Sequence, residues 1–332
     1  MLNKKKFPIL ILILLVVGAI FFFFKSNDVN DSKKNGLIEV NVAQFGEVLL
    51  YMPLYLADEG GFFEKEGLKV NIYNTGGDDK TFAAVIGGSA EFGIADPTFV
   101  AIAKERGQRG KVIASIVNGV PFWGITKNTD IPEITDLKML NGYSVATFPS
   151  PSTAYTLQYD MFKDAGLQPN IRQASFGALL PLLEANQVDI ALELEPNVSQ
   201  ALKNGYKIVY SMADMYGDFA ITAVTVSEDT VNKKPELVQK FVDALQNAEE
   251  YAHQNPDKVI EFANKKFPDL DDEIVANAIN RIIKSNTFPE NVLISEEAWL
   301  KAISLREEVG DIKSIELAKS VLDMTFAKKS IK

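Results

Sequence analysis

From residue 37 onward, apolar positions fall into two kinds of run that take turns. Residues 38–44 form a short β-branched run, and 53–66 carries Leu54, Leu56, Ala57, Phe62 and Phe63 at helical spacing. A strand is predicted at 68–73, a helix at 79–86, a strand at 92–95, a Pro-started helix at 97–104 and a strand at 112–117. The same alternation resumes at 143–148 (strand), 153–165 (helix), 171–174 (strand), 179–185 (helix), 188–192 (strand), 197–203 (helix) and 207–210 (strand). A further β-rich segment spans 219–226. Beyond Thr230 the period-2 signal stops, and amphipathic helices are predicted at 235–254, 256–265, 271–284, 295–309 and 314–327.

Strands that alternate with helices predict parallel sheet with crossover helices, an α/β fold. Two such series, a returning strand and a helical C-terminal tail predict two lobes. The first is expected from residues 37–126 plus 219–332, and the second from 127–218. Ligands in open α/β sheets sit at strand C-termini, so a cleft between the lobes is the expected site.

The pattern is different at the N-terminus. Lys4, Lys5 and Lys6 precede an almost wholly apolar run at 7–24, closed by Lys25. A basic flank before an apolar run of this length predicts a membrane segment with everything after it outside the cytoplasm. No Ala-x-Ala-like site follows, which favours an anchor over a cleaved signal, the protein being secreted or periplasmic if the segment is removed instead. Residues 26–36, rich in Asn, Asp, Ser, Lys and Gly, read as a flexible tether.

Composition narrows the function. The chain has 332 residues, no Cys and a formal net charge of −10. Residues 1–36 are themselves basic, so the remainder is more acidic than that figure. Such a domain is a poor partner for nucleic acid, whose affinity rests on Lys and Arg at phosphates. The lack of Cys excludes disulfides, thiolate metal sites, a Cys nucleophile and lipid attachment through an N-terminal cysteine. His253, the single His, falls late in a predicted helix and reads as a surface residue. No Ser-His pair or metal cluster is visible, so neither catalysis, nor a cofactor, nor a metal is expected.

The stretch from Tyr51 to Val70, YMPLYLADEGGFFEKEGLKV, resembles a recurrent segment of the family that binds nitrate, sulfonates, taurine and hydroxymethylpyrimidine. There a helix of the form P-L-Y-x-A-x-x-x-G-F-F leads through G-L into the second strand. The likeness continues through IGGSAEFGIA at 86–95, through Asp136-Leu-Lys138 and through LEANQVDIA at 183–191, covering roughly residues 38–250. Two departures stand out. Met139-Leu-Asn-Gly142 replaces the usual Gly-Lys, and Asn186 stands where the family usually has Gly. The resemblance implies a two-lobed type II periplasmic-binding-protein fold that captures a small organic solute, sulfonate/taurine-like or pyrimidine-like. It implies an ABC permease and its ATPase as partners. A membrane-tethered sensing domain is the alternative. The thiamine-pyrimidine synthase of the same fold uses a Cys-rich segment, a Lys-bound pyridoxal phosphate and a His, whereas this chain has no Cys and a single, badly placed His.

Ligand contacts are expected where strands end. Gln44, Phe45 and Gly46 close the first strand with an amide and a ring, or serve there as a strand-end cap. Gly76 ends the second, where a plain turn explains it equally. Asp96 and Thr98 open a helix after the third, by capping it or by meeting a ligand. Trp123 is a stacking wall or core. Ser150, Ser152 and Thr153, at a helix N-terminus, form an anion or carbonyl-oxygen site, or an ordinary cap. The resemblance supports the first, because the sulfonate and taurine branch has a Ser/Thr-rich segment there. Glu195, before a Pro-started helix, is expected to meet a donor-bearing end of the solute.

Overall fold

The computed structural model describes residues 36–331. The expected membrane segment at 7–24 and the tether, except for Gly36, lie outside the described residues. The chain divides into a unit at Met1–Glu39 and a unit at Val40–Lys332, and the second carries nearly all of the described structure. Among the described residues no helix is long and apolar enough to cross a membrane.

The fold is α/β, built on two five-stranded sheets. The first has the order β2-β1-β3-β10-β4 and uses β1 (Ile38–Gln44), β2 (Leu68–Asn74), β3 (Phe92–Ala95), β4 (Gly110–Asn118) and β10 (Ala220–Ser227). The second has the order β7-β6-β8-β5-β9 and uses β5 (Trp123–Thr126), β6 (Val145–Thr147), β7 (Ile171–Gln173), β8 (Ile190–Glu193) and β9 (Lys207–Ser211). Each sheet is mixed rather than purely parallel. β10 runs antiparallel between β3 and β4, and β5 runs antiparallel between β8 and β9. Each lobe is thus completed by the strand on which the chain arrives from the other.

The strand β5 was not expected, and it moves the lobe boundary. Because Trp123–Thr126 pairs with Glu193 and Ser211 at its start, these residues belong to the second lobe instead of the first. The crossing falls at 119–122, and the chain returns through 217–219. The two crossing segments are tied by Gly119 N–H donating to the Phe219 carbonyl at 2.9 Å. The strand is only four residues long and buried throughout, so it shows no alternation to read. It is also tightly fitted, since a Cβ on Gly124 would lie 2.2 Å from the Tyr210 ring.

Two expected helices are broken. The 53–66 pattern is two helices, Met52–Glu59 and Phe62–Lys65, because Gly61 turns the chain at φ +77°. The last pattern is likewise two short helices, Ile315–Lys319 and Thr325–Ser330.

Helix Pro235–Gln254 shows how the sequence builds the first lobe. Pro235 sits at its first turn, where the missing N–H costs nothing. Its apolar stripe carries Val238, Phe241, Val242 and Leu245, and Phe241 stacks on Phe92 at 4.0 Å and on Phe63 at 4.7 Å between ring centroids. The second lobe closes around Trp123, Ile125, Leu179, Leu183 and Val198. The C-terminal helices serve both. Helix Glu296–Glu308 packs on β10 and on helix Thr98–Lys104, while helix Asp272–Lys284 packs on helix Asn197–Lys203 of the second lobe.

Candidate functional site

A cavity of about 550 Å3 lies between the two sheets. Six strands deliver their following residues to it. From the first lobe come Phe45 after β1, Gly76, Gly77 and Asp78 after β2, and Asp96 after β3. From the second come Phe148 and Ser152–Ala154 after β6, Phe176 after β7 and Leu194 after β8. All six strand C-termini therefore converge on one space, the place where open α/β sheets bind ligands. Tyr51, Pro121, Phe122 and Thr222 complete the wall.

Most of the lining is apolar and aromatic. The rings of Phe122 and Phe148 are 6.0 Å apart, and Phe148 and Phe176 stack at 6.3 Å with 19° between their planes. Phe176 is 46% exposed, so this aromatic row runs from the interior out to solvent. The phenol of Tyr51 is buried beside Asp78 and held with Thr222; burial is the main cause that raises its pKa. Gly76 takes φ +77°, a left-handed turn that glycine adopts without strain, and its N–H donates to the Phe45 carbonyl at 2.9 Å.

The charged groups are all carboxylates. Among the described residues, no Lys or Arg lines the cavity, whereas Asp78, Asp79 and Asp96 do. Asp96 is fully engaged. Its Oδ1 accepts from Thr98 N at 2.8 Å and Thr98 Oγ1 at 2.6 Å, and its Oδ2 accepts from Thr153 Oγ1 at 2.5 Å and Arg306 Nη2 at 3.0 Å. Asp78 is not. Its Oδ1 accepts only the Asp96 N–H at 3.1 Å, and its Oδ2 has no hydrogen-bond partner among the described residues. Burial, with the charge of Asp96 second, raises the Asp78 carboxyl to about 7.

Of the residues expected from the sequence, Phe45, Gly76, Asp96, Ser152 and Thr153 are brought together here. The others lie elsewhere, each for a visible reason. The Gln44 amide is spent on structure, donating to Asn74 Oδ1 at 2.7 Å and accepting from the Tyr55 hydroxyl at 3.0 Å. Gly46 follows Phe45 but is not part of the lining. Thr98 is buried behind Asp96 as the first residue of its helix, donating to that carboxylate and accepting from Arg306 Nε at 3.0 Å. Trp123 is core in the second sheet, with the Arg281 guanidinium 6.0 Å from its ring. Ser150 donates its N–H to Gln173 Oε1 at 2.9 Å and does not reach the cavity.

Glu195 is the clearest correction. Its side chain is wholly buried, and its carboxylate accepts from Ser199 N at 3.0 Å, Ser199 Oγ at 2.9 Å and Arg281 Nε at 2.6 Å. It braces a helix start against the tail instead of facing a solute. Ser152 also does the modest job, accepting from Tyr155 N at 3.2 Å as an N-cap, although it still lines the cavity.

Sequence reasoning passed over Asp78, Tyr51, Phe148, Phe176 and Arg306. Asp78 lies two residues after Gly76, already singled out, and Phe148 and Phe176 lie at or after strands already placed. Arg306 had a subtler signal. It falls at i+7 from Trp299, with Ala302 and Ile303 between them at i+3 and i+4, on a stripe that is buried throughout.

Two lobes of mixed sheet with a cavity at the opposed strand ends define the type II periplasmic-binding-protein fold, here with a helical C-terminal tail. Comparison with known proteins agrees. The model of the NMT1/THI5-like family matches residues 50–259, and the chain belongs to that family. It is 24% identical over 288 residues to a Bacillus subtilis (strain 168) protein described as "Putative binding protein YtlA", covering 83% of this chain and 85% of that one. Among solved structures it is similar to the periplasmic aliphatic sulphonate-binding protein SsuA of Escherichia coli, with a TM-score of 0.70, 15% identity, and 86% of this chain and 92% of that one covered. It is also similar to the periplasmic nitrate-binding protein NrtA of Synechocystis PCC 6803, with a TM-score of 0.66, 14% identity, and 89% and 88% covered. The named neighbours are binding proteins, not enzymes.

Proposed function

We propose that this chain is the extracytoplasmic solute-binding component of an ABC importer. It captures a small organic solute between its lobes and presents it to a permease driven by an ATPase. The basic-flanked apolar run at 7–24 would hold it at the membrane. Family membership supports the receptor role, and the convergence of six strand ends on one cavity supports the place.

The observation that carries the solute class is the lining. Apolar groups, several of them aromatic rings, supply most of the surface, three carboxylates supply the charge, and no Lys or Arg lines the cavity among the described residues. A sulfonate or nitrate brought against such a wall would leave an unpaired anion beside carboxylates, which costs several kcal/mol at low dielectric, about as much as a buried unpaired charge elsewhere. Among the solutes this family suggests, a pyrimidine-like ring fits the aromatic row better than a bare sulfonate does. A taurine-like solute would fit only through its amine.

Native mass spectrometry of the chain purified from its own cell tests the reading directly, since a tightly held solute travels with the protein. Co-precipitation should recover an importer permease and ATPase. Recovery of a sensor kinase instead would overturn the importer role.

A further inference from the structure

Among the described residues, Asp78 is the carboxylate of the cavity that is partly buried and still has an oxygen without a hydrogen-bond partner. Asp96 spends both of its oxygens on Thr98, Thr153 and Arg306. Asp79, the neighbouring acid, is exposed. Asp78 lies between them at the first position of helix Asp78–Ile86 and lines the cavity. One oxygen takes the Asp96 N–H at 3.1 Å, and the other is left open.

Resting on the receptor reading, we infer that Asp78 is the specificity residue of the site. Its open oxygen takes an N–H donor of the solute, an ammonium or a ring amino group, and turns anionic solutes away. Three features support this assignment. A carboxylate left without a partner in an aromatic-walled space is costly, and an N–H donor removes that cost with a charge-assisted bond. The rings of Phe45, Tyr51 and Phe148 favour a cationic or electron-poor group near their faces. Arg306, the cation paired with Asp96 at 3.0 Å, is also shared with Asp311 at 3.3 Å, so it supplies no free charge for an anion.

Binding of a permanently protonated amine should then be linked to pH. The groups that set the proton affinity of Asp78 are Asp96 and Asp79, which raise it, and Arg306, which lowers it; Tyr51 faces it as a neutral phenol. With burial raising the carboxyl to about 7, the empty site is largely protonated at pH 6 and largely ionised at pH 8. A cation binds the ionised form, so binding expels a proton below pH 7 and affinity rises with pH. The limiting slope is about tenfold per pH unit.

The test is calorimetric titration of the full chain with benzylamine at pH 6 and pH 8, with methanesulfonate as the opposing probe. Benzylamine is expected to bind, more tightly at pH 8. Asp78→Asn keeps an oxygen for the Asp96 N–H; it should weaken benzylamine by about tenfold or more and abolish the pH response. Asp78→Ala should do the same, and an unchanged melting profile in either variant separates lost contact from lost fold. Methanesulfonate binding while benzylamine does not would overturn the assignment, and so would benzylamine affinity unaffected by both variants. The receptor reading would survive either result, because it stands or falls on recovery of the permease and ATPase.

Discussion

Arg306, fully buried on the C-terminal tail, donates to Thr153 Oγ1 at 3.0 Å, and Thr153 stands at the first turn of a helix in the opposite lobe. The same guanidinium donates to the Pro151 carbonyl of that lobe and to Asp96 and Thr98 of its own. A single side chain therefore joins the two lobes at the edge of the cavity. The charge is neutralised by Asp96, which lets an arginine sit in the interior without a large desolvation penalty. In the fold, this contact is the point where tail, cavity and lobe separation meet.

Removing Thr153 from this contact should loosen the lobes without disturbing the pair on the first lobe. Thr153→Val keeps the shape but loses the bonds to Asp96 and Arg306, about 1–2 kcal/mol. Small-angle scattering should show a larger radius of gyration for the solute-free variant than for the unmodified chain. Arg306→Met should expand the protein as well, and at a higher cost of about 3–5 kcal/mol, because Asp96 is left buried without its partner. An unchanged radius in Thr153→Val would mean that the lobes are held elsewhere.

Two carboxyls near the second-lobe strand ends and the cavity contribute a pH response in the solute-free protein. Burial raises both Asp78 and Glu193 to about 7. Their unfolded values lie near 4, so between about pH 4 and pH 7 the folded state holds more protons than the unfolded one. These two groups should therefore lower stability as pH rises across that window, and their own contribution levels off above it. Asp78→Asn and Glu193→Gln should each flatten part of the slope in melting temperature between pH 5 and 8. A slope left unchanged by both variants would contradict the assignment.

The Glu195–Arg281 pair should matter for stability and not for binding. Glu195→Ala leaves the Ser199 N–H and a partly exposed Arg281 without their acceptor, a loss of about 2–3 kcal/mol by urea denaturation. Solute affinity measured on the folded fraction should be unchanged. A large drop in affinity with stability intact would return Glu195 to the binding surface.

Much of this arrangement was legible in the sequence, and the exceptions share causes. Nine of the ten strands among the described residues fall on runs expected from the sequence, and helix Pro235–Gln254 is marked at both ends by its Pro start and apolar stripe. Even the family departure at Asn186 has a physical reading. Its φ is +52°, a left-handed position that glycine favours and asparagine tolerates. What escaped was β5, and the allocation of polar side chains at the strand ends. Position along a strand predicts that Gln44, Asp96 and Glu195 stand near a cleft. Only packing decides that Gln44 bonds Asn74 and Glu195 bonds Arg281, leaving Asp78 as the carboxylate with a free oxygen. Charged residues on an apolar stripe, such as Arg306, were the available warning.

Glu249 is a second charged residue on such a stripe, and its burial has a measurable cost. It lies one turn after Leu245 on helix Pro235–Gln254, with no exposed surface, and neither carboxylate oxygen has a hydrogen-bond partner among the described residues. Burial alone raises its pKa well above the ordinary range, so the folded chain keeps this proton to higher pH than the unfolded one. The unfolded chain carries it ionised, and stability therefore falls as pH rises above the ordinary glutamate value. Glu249→Met fills nearly the same volume without the proton uptake or the unsatisfied oxygens, and should stabilise the protein by about 1–3 kcal/mol at pH 7. Glu249→Gln removes the titration but keeps a buried polar head, so its gain should be smaller, and the difference between the two variants measures the desolvation share. Chemical denaturation at pH 7 reads both. If Glu249→Met instead destabilises the chain, the carboxyl has a partner, such as an internal water, that the methionine displaces.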